Sequence, residues 1–556
     1  MRNIAGRARG KAALLLTGLT LLALFITLTS TFADTSINSR SMYPSETVKP
    51  QNLQAGSDNA PDRYSLLPLL KRPPEQNVFR VCDGVDTGRS FLQADRNVKH
   101  TAPEGKSVLS REHPVGKSYW LPALEIVGFE AALNGASRLA FPHKTTDAGK
   151  KTYSSNPSTF WDHLTEGPWR ADNDNFKVNQ LGHPYQGAIY QNIARSTGLG
   201  FWESMGYTFM GSFLWEMAGE TSNPSLNDQV ASGIAGNFLG EPLFRMASLL
   251  LEGHEQPGFW RELGAAVISP PTGFNRLVFG EHFDAVFPSH NPATFWRLDL
   301  GANINTHHSG PDTGDLQHNG ALAAFSMDYG LPGKPGYHYT RAFDYFHFEA
   351  RAATNYTESL GILGTRGLLF GTDYDVGDTC RGIWGLYGTY DYTWANPVRV
   401  STTGVALGTT SQWWLSQRVA LQGTALAGLG YGAGGDISGS SERNYHYAGT
   451  AQGLLDLRLI IGDLAMLDFR GNQYYISDVV ATAPKGSETV TRVDLGFAVR
   501  VYDRQAVALQ YQFFHRDTHY RGIENQNQEM GVLSLVYTFL SDKGFGTVEW
   551  RDSSAR

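Results

Sequence analysis

"TRVDLGFAVRVY", residues 491–502, decides the fold. Val493, Leu495, Phe497, Val499 and Val501 share one face, while Arg492, Asp494 and Arg500 share the other. A period of two belongs to an extended strand, whose successive side chains point to opposite faces. Outward from this stretch the alternation recurs. "QAVALQYQFF" (505–514) groups Val507, Leu509, Tyr511 and Phe513, and "LLDLRLIIG" (454–462) sets Leu455, Leu457, Leu459 and Ile461 against Asp456 and Arg458. "MGVLSLVYTF" (530–539) aligns Leu533, Leu535, Tyr537 and Phe539. With similar segments near 295–305, 321–329, 343–355, 361–372, 380–392, 398–410, 417–431 and 463–475, about twelve strands are predicted. Most approach the ~9–11 residues that a tilted strand needs to cross a bilayer.

A soluble β-sandwich also alternates, so three further features separate it from a membrane barrel. Several strands end in aromatics (Tyr390, Tyr392, Trp413, Trp414, Tyr474, Tyr475), as interface girdles do. The polar faces carry opposite charges, His347/Glu349/Arg351 and Asp468/Arg470, which suits a wet lumen. The N-terminus supplies an export route: Arg2, Arg7, Arg9 and Lys11 precede the uncharged run "AALLLTGLTLLALFITLTS" and the small-residue exit at Ala33. These are the parts of a secretory signal peptide, with an uncleaved anchor as the alternative. Cleavage near Ala33 removes four positive charges and no acid, so −7 becomes about −11, a poor balance for nucleic acid. Charged residues are only 18%, and no later run has the apolar length of a lipid-spanning helix. In lipid an open sheet edge leaves unpaired backbone groups, so the sheet must close.

The predicted architecture is therefore a membrane β-barrel of about twelve antiparallel strands (292–540) with a preceding α-helical bundle (117–291), possible as a lumen plug. A signal peptide (1–33) and a mobile polar leader (34–116) come first. The strand ending at Phe539 resembles the C-terminal recognition strand read by the barrel-assembly machinery. Residues 541–556 follow it, as another strand or as a tail. Cys82 and Cys380 give no metal spacing and no framework.

The bundle begins with "SYWLPALEIVGFEAALNGASRL" (118–139), a short amphipathic helix. Three further helices are predicted: Pro184–Ser196, then 201–219, then one starting at Ser225. Ser225 is a cap with an acid, Asp228, three residues on, and a kink is expected at Pro242. Ser204, Thr208, Ser212, Glu216 and Glu220 form a small and polar stripe, and Gly233, Gly236 and Gly240 clear a groove for a neighbouring backbone. Two readings compete for the polar residues. In one, His183, Arg195, Glu216, Glu220, Asp228, Glu241 and Arg245, with Tyr190, form a hydrogen-bonded structural network. In the other, His183 is a general base or metal ligand, Ser204 or Ser212 a nucleophile, and Glu216, Glu220 or Asp228 orients the histidine. No G-x-S-x-G or H-E-x-x-H accompanies them. "NTHHSGPDTGDLQH" (305–318) and "DNDN" (172–175) read as polar loop and turn rather than metal sites.

These residues carry a resemblance. "WRADNDNFKVNQLGHPYQGAIYQNIARSTGLGFWES", "GSFLWEMAGETSNPSLNDQV", "GNFLGEPLFR" and "PPTGFNRLVFG", within about residues 160 to 280, resemble the bacterial family known as domain of unknown function 3943. By resemblance the signature positions include Asn179, Gln180, His183, Gly187, Tyr190, Arg195, Ser204, Ser212, Glu216, Glu220, Asp228, Gly240, Glu241 and Arg245. The resemblance implies export and an outer-membrane setting, with outer-membrane lipids as partners, and it implies no activity. No cofactor and no nucleic-acid partner is called for. The functional expectation is a non-enzymatic channel, transport or envelope component with a helical plug. The alternative is a lipid- or lipopolysaccharide-modifying hydrolase centred on His183.

Overall fold

A computed structural model describes residues 116–550, apart from 147–148, 173, 253–256, 281–285, 311–318, 356–359, 396–397 and 436–442. The expected signal peptide and nearly all of the leader lie outside the described residues, as does Cys82.

The twelve expected strands are present and close on themselves: β1 Thr294–Ser309, β2 Asn319–Tyr329, β3 Phe346–Ala353, β4 Leu360–Val376, β5 Cys380–Ala395, β6 Val398–Trp414, β7 Val419–Gly435, β8 Tyr445–Ile461, β9 Ala465–Ile476, β10 Gly486–Tyr502, β11 Gln505–Tyr520 and β12 Gln526–Leu540. Each pairs antiparallel with its chain neighbours. β12 pairs with β1 from Leu540↔Arg297 to Glu529↔Ser309, which removes the sheet edge. The opening stretch lies in β10 with its apolar residues outward: Leu495 is 44% exposed and Phe497 49%, while Arg492 is buried inside.

The inward charges do not line a wet lumen; they bond across it. Asp328 of β2 reaches Arg458 of β8 at 2.9 Å, and Glu349 of β3 reaches Arg470 of β9 at 2.6 Å and Arg492 of β10 at 3.2 Å. Arg297 of β1 meets Asp468 of β9 at 2.6 Å, Arg366 of β4 meets Asp456 of β8, and Arg351 donates to Gln510 and Gln512 of β11. One pocket among these inward side chains, bordered by His347, Glu349, Arg366, Asp391 and Asn472, is about 20 Å³. That is little more than the room one water needs. At the end where β1 begins and β12 finishes, two segments cover the opening. Arg381 donates to the Gly333 carbonyl of the β2–β3 connection (3.2 Å). Residues 541–550 are a tail rather than a thirteenth strand: Phe545 is fully buried among inward side chains, and Trp414 Nε1 donates to the Glu549 carbonyl at 3.0 Å.

Eight helices precede the barrel among the described residues: α1 Trp120–Ala140, α2 Pro157–Thr165, α3 His183–Ser196, α4 Phe201–Ala218, α5 Leu226–Val230, α6 Gly236–Leu251, α7 Phe259–Ile268 and α8 Pro270–Phe279. π-helical turns at Val178–Gly182 and Ala231–Ala235 lead into α3 and join α5 to α6. Ser225 caps α5 as expected, its hydroxyl accepting from the Asp228 N–H at 3.2 Å. The break expected at Pro242 is displaced: Pro242 lies inside α6, and the departure from α geometry comes earlier, in the second π turn. There the backbones meet so closely that a Cβ on Gly187 would lie 2.0 Å from the Ser232 carbonyl oxygen, and one on Gly236 would lie 2.6 Å from Gly187. Gly240 serves the same groove against Ala188 and Gln191, whereas Gly233 faces Phe209 instead.

The helices are not a lumen plug. They lie against the outer wall. In β5 the odd residues face the lumen and the even ones point out; Tyr390, Tyr392 and Trp394 point out, yet are at most 3% exposed. The helical segment covers them. Tyr390 donates to the Gln180 carbonyl (2.6 Å), and the Phe176 ring packs against Tyr392, Trp394 and Tyr445. Phe238 of α6 packs beside Gly388, where any Cβ would strike its ring at 2.6 Å. Tyr390 and Tyr392 are therefore helix contacts rather than interface girdle. Trp414 and Tyr474 turn inward, and Trp413 and Tyr475 remain exposed outside. The physical reason is that an outward aromatic meets lipid or a helix by the same apolar burial, about 1.5–3 kcal/mol per large side chain.

Candidate functional site

The predicted network resolves into two separate clusters. The first sits where α3 and α6 meet the barrel. Glu241, with no exposure, accepts from Arg195 Nε at 2.8 Å and Nη2 at 3.0 Å, from Arg245 Nε at 2.8 Å and from Gln191 at 2.8 Å. Arg245 reaches on to Asp344 of the β2–β3 connection at 2.9 Å and to the Ala342 carbonyl. Burial alone would raise the Glu241 carboxyl, but Arg195 and Arg245 outweigh it and hold it below the usual range. The guanidinium groups of Arg195, Arg245 and Arg341 all lie over the Phe287 ring, 4.6–4.9 Å from its centre. This cluster anchors the helical domain to the barrel.

The second cluster gathers His183, Glu216, Glu220 and Asp228 with Asp172, Asp174 and Lys144. His183 Nε2 lies 3.5 Å from Asp228 Oδ2, and its Nδ1 lies 3.4 Å from Ser232 Oγ. Glu216 accepts from the Ser225 N–H at 2.8 Å, and its own carbonyl meets His163 Nδ1 at 3.0 Å. Lys144 pairs with Asp174 at 3.0 Å. Outward tyrosines of β8 close the cluster from the barrel side: Tyr445 accepts from Asn179 at 2.9 Å, and Tyr447 accepts from Gln180 at 3.0 Å and Asn227 at 2.8 Å. His183 (8% exposed), Asp228 (4%) and Ser232 (1%) are buried, while the Lys144–Asp174 pair at the edge of the cluster is partly exposed.

Burial sets its protonation. It pushes Asp228 up to about 8, with Glu220 adding to the effect, and Asp172 up to about 7, with Asp228 and Asp174 adding. Glu216 is raised well above the carboxylate range by burial and by Asp228. His183 is lowered by burial against the pull of Glu220 and Asp172. Burial would raise Asp174 too, but Lys144 outweighs it and holds Asp174 ionised. A carboxyl whose pKa rises on folding stabilises the fold at low pH. That contribution is complete below about 4 and is lost as pH rises through about 8. His183, lowered on folding, acts oppositely, its contribution fading as pH falls below about 6.5. Above about pH 6.5 only the acids act, so stability of the helical domain falls toward about pH 8.5, by up to ~1.4 kcal/mol per pH unit for each group that titrates. Asp228→Asn, which mimics the protonated acid, should flatten that fall in urea melts followed at the helical circular dichroism band. Equal slopes in variant and wild type would mean Asp228 is already ionised in the fold.

The residues proposed for chemistry are thus only partly brought together. Neither Ser204 nor Ser212 partners His183. Ser204 Oγ is buried without a hydrogen-bond partner among the described residues, and Ser212 lies 3.5 Å from the Asp228 carbonyl oxygen. The histidine's hydroxyl neighbour is Ser232, four residues beyond Asp228; that spacing was available in the sequence. Lys144, Asp344 and the two tyrosines carried no local signal. Tyr190 donates to Glu130 of α1, a carboxyl that burial pushes up to about 8. Among the described residues no three His, Cys, Asp or Glu side chains are placed to hold a metal ion. In "DNDN", Asp174 pairs with Lys144 and Arg443, and Asp172 accepts from Asn179. The stretch 305–318 is not all loop: residues 305–309 finish β1, where His307 approaches Glu529 of β12 at 3.4 Å, and Asp312, Asp315 and His318 lie outside the described residues.

Residues 168–271 match the family model described as "Domain of unknown function (DUF3943)", which bears out the resemblance read from the motifs. No curated protein matches the chain. Similar solved structures include the NanC porin (8% identity, covering 43% of this chain and 98% of that one, TM-score 0.25). The outer membrane channel DcaP of Acinetobacter baumannii is similar at 11% identity (45% and 96% covered, TM-score 0.21). The anion-selective porin from Comamonas acidovorans is similar at 10% identity (45% and 98%, TM-score 0.20). At such identities and scores the likeness carries no residue correspondence and no argument about activity.

Proposed function

We propose that this chain, matching that family over residues 168–271 and forming a closed barrel beyond them, is a non-enzymatic outer-membrane protein. It would be a gated transport or envelope component, exported through its N-terminal signal. One observation carries the reading: the barrel is apolar outside and charged inside. Leu298, Leu300, Leu407, Leu429, Leu455, Leu509 and Leu535 stand 36–69% exposed on the outer surface, while the arginines and carboxylates bond across the interior. An exposed apolar belt of that extent suits lipid rather than water. The helical domain adds to it. Trp120, Leu124, Trp161 and Trp260 are 63% or more exposed, and Trp202 stacks on Phe370 of the belt at 5.1 Å. The helices thus extend the apolar surface of the barrel and buttress it from outside.

The hydrolase alternative has one specific observation in its favour, the Asp228–His183–Ser232 sequence of contacts, which would make Ser232 rather than Ser204 or Ser212 the nucleophile. Against it stands the burial of all three side chains, Asp228, His183 and Ser232 being at most 8% exposed. In planar bilayers and in vesicles the refolded wild type should show no steady conductance and leave the lipids unchanged by mass spectrometry. His183→Ala and Ser232→Ala should alter stability only. Fatty-acid release abolished by either substitution would replace this reading with the hydrolase, and a steadily open wild type would exclude the closed conduit.

A further inference from the structure

Between the start of α4, the Arg195–Arg245 pair and the β2–β3 connection lies a cavity of about 160 Å³. Among the described residues its wall carries four cations, Lys117, Arg195, Arg245 and Arg341, and the carboxylates paired with them are Glu203, Glu241 and Asp344. The geometry points to an anion site here that takes the phosphate of a lipid headgroup.

Three observations support it. The first is donor surplus. A guanidinium has five N–H donors. Arg195 gives three hydrogen bonds, to Glu241 twice and to Leu199, and Arg245 gives three, to Glu241, Asp344 and Ala342, and also meets Tyr329. Each therefore keeps donors for a further acceptor, and the fork geometry of arginine suits phosphate oxygens. The second is charge. Burial lowers Arg195, and Arg245 and Arg341 lower it further despite Glu241, whereas Glu241 and Asp344 raise Arg245; an added anion would relieve Arg195. The third is position. Trp202 lines the cavity, is 40% exposed, and stacks on Phe370 of the outer belt, while Lys117 stands at the rim, paired with Glu203 at 2.8 Å. A lipid lying against the belt brings its headgroup phosphate to this mouth. The lipid source rests on the membrane reading above; the anion site does not.

Trp202 is the reporter. The full chain, refolded in dodecylmaltoside micelles, is titrated with dihexanoyl phosphatidylglycerol, dihexanoyl phosphatidylcholine and inorganic phosphate, with Trp202→Phe subtracted as background. The expected result is a saturable response to the glycerol lipid, little to the choline lipid or to inorganic phosphate, and at least tenfold weaker binding in Lys117→Glu and in Arg341→Gln. Heat-modifiable gel migration confirms that both variants are folded. Inorganic phosphate binding as tightly as the glycerol lipid, and weakened by the same substitutions, upholds the anion site and overturns the lipid source without touching the barrel's membrane reading. Equal responses to both lipids that ignore the two substitutions, or silence toward all three probes, overturn the site.

Discussion

Glu241→Gln is expected to lower the unfolding free energy of the helical domain by about 3–5 kcal/mol, the range for removing one partner of a buried ion pair. The carboxylate has no exposure and is shared by Arg195 and Arg245, so its loss leaves two guanidinium groups facing each other. Asp344 still holds Arg245, but no other carboxylate reaches Arg195 among the described residues. Glutamine keeps the shape and one acceptor oxygen, so the loss reports charge rather than a cavity. The triple change Arg195→Met, Glu241→Leu, Arg245→Met should cost less, because replacing a buried ionic group by apolar side chains is often close to neutral and Asp344, losing Arg245, keeps Arg341 at 3.0 Å. Urea unfolding followed at the helical circular dichroism band measures the first, with gel migration reporting the barrel separately. A loss below about 1 kcal/mol for Glu241→Gln would mean that water reaches the triad and screens it.

The second large effect concerns the interior of the barrel. Arg470 pairs with Glu349 at 2.6 Å and Asp456 at 2.8 Å, and donates to His347 Nε2 at 2.9 Å. Arg470→Ala leaves two carboxylates with one fewer cation beside a pocket of about 20 Å³, so water must enter or the walls must part. The mouth is blocked as well by Phe545 and the tail around it. Arg470→Ala combined with deletion of residues 542–556 is therefore expected to give a steady conductance in planar bilayers that neither change gives alone. Adding Glu349→Gln and Asp456→Asn to the combined variant should restore closure by removing the repulsion. Conductance from the tail deletion by itself would show that the lattice of charges is not a barrier. Silence of the combined variant would place the barrier elsewhere, with the β2–β3 connection the next candidate.

Much of this architecture was legible one residue at a time. Alternation placed all twelve strands, because the two-residue period is a local property of an extended chain. The Ser225 cap and the groove at Gly236 and Gly240 were visible as residue types at known spacings, though not the Gly187 that Gly236 meets, and the motifs around His183 carried the family resemblance. The candidate site was legible as an inventory and not as an arrangement. Glu241 and Arg245 stand one helical turn apart, so their pairing was available locally, but Arg195 comes from α3 and Asp344 from a connection between strands. His183 finds Ser232 rather than Ser204 because the π turn sets the phase of that helix, and no side-chain pattern announces an extra residue in a turn.

What the sequence by itself determined, then, is which face of each strand is apolar, roughly how many strands there are, and which helical residues must be satisfied away from water. Only the tertiary structure decided what meets those faces. The outward tyrosines of β5 and β8 and the outward leucines of β7 and β12 obey the same pattern, yet the first are covered by helices and the second are bare. Burial of an apolar group is non-directional, so it does not specify its partner. In the interior, Asp328 finds Arg458 and Glu349 finds Arg470 because strand tilt and stagger carry β2 and β3 opposite β8 and β9. That stagger is a property of the closed ring, and it turns charged faces that promised a wet pore into ion pairs that cross the interior.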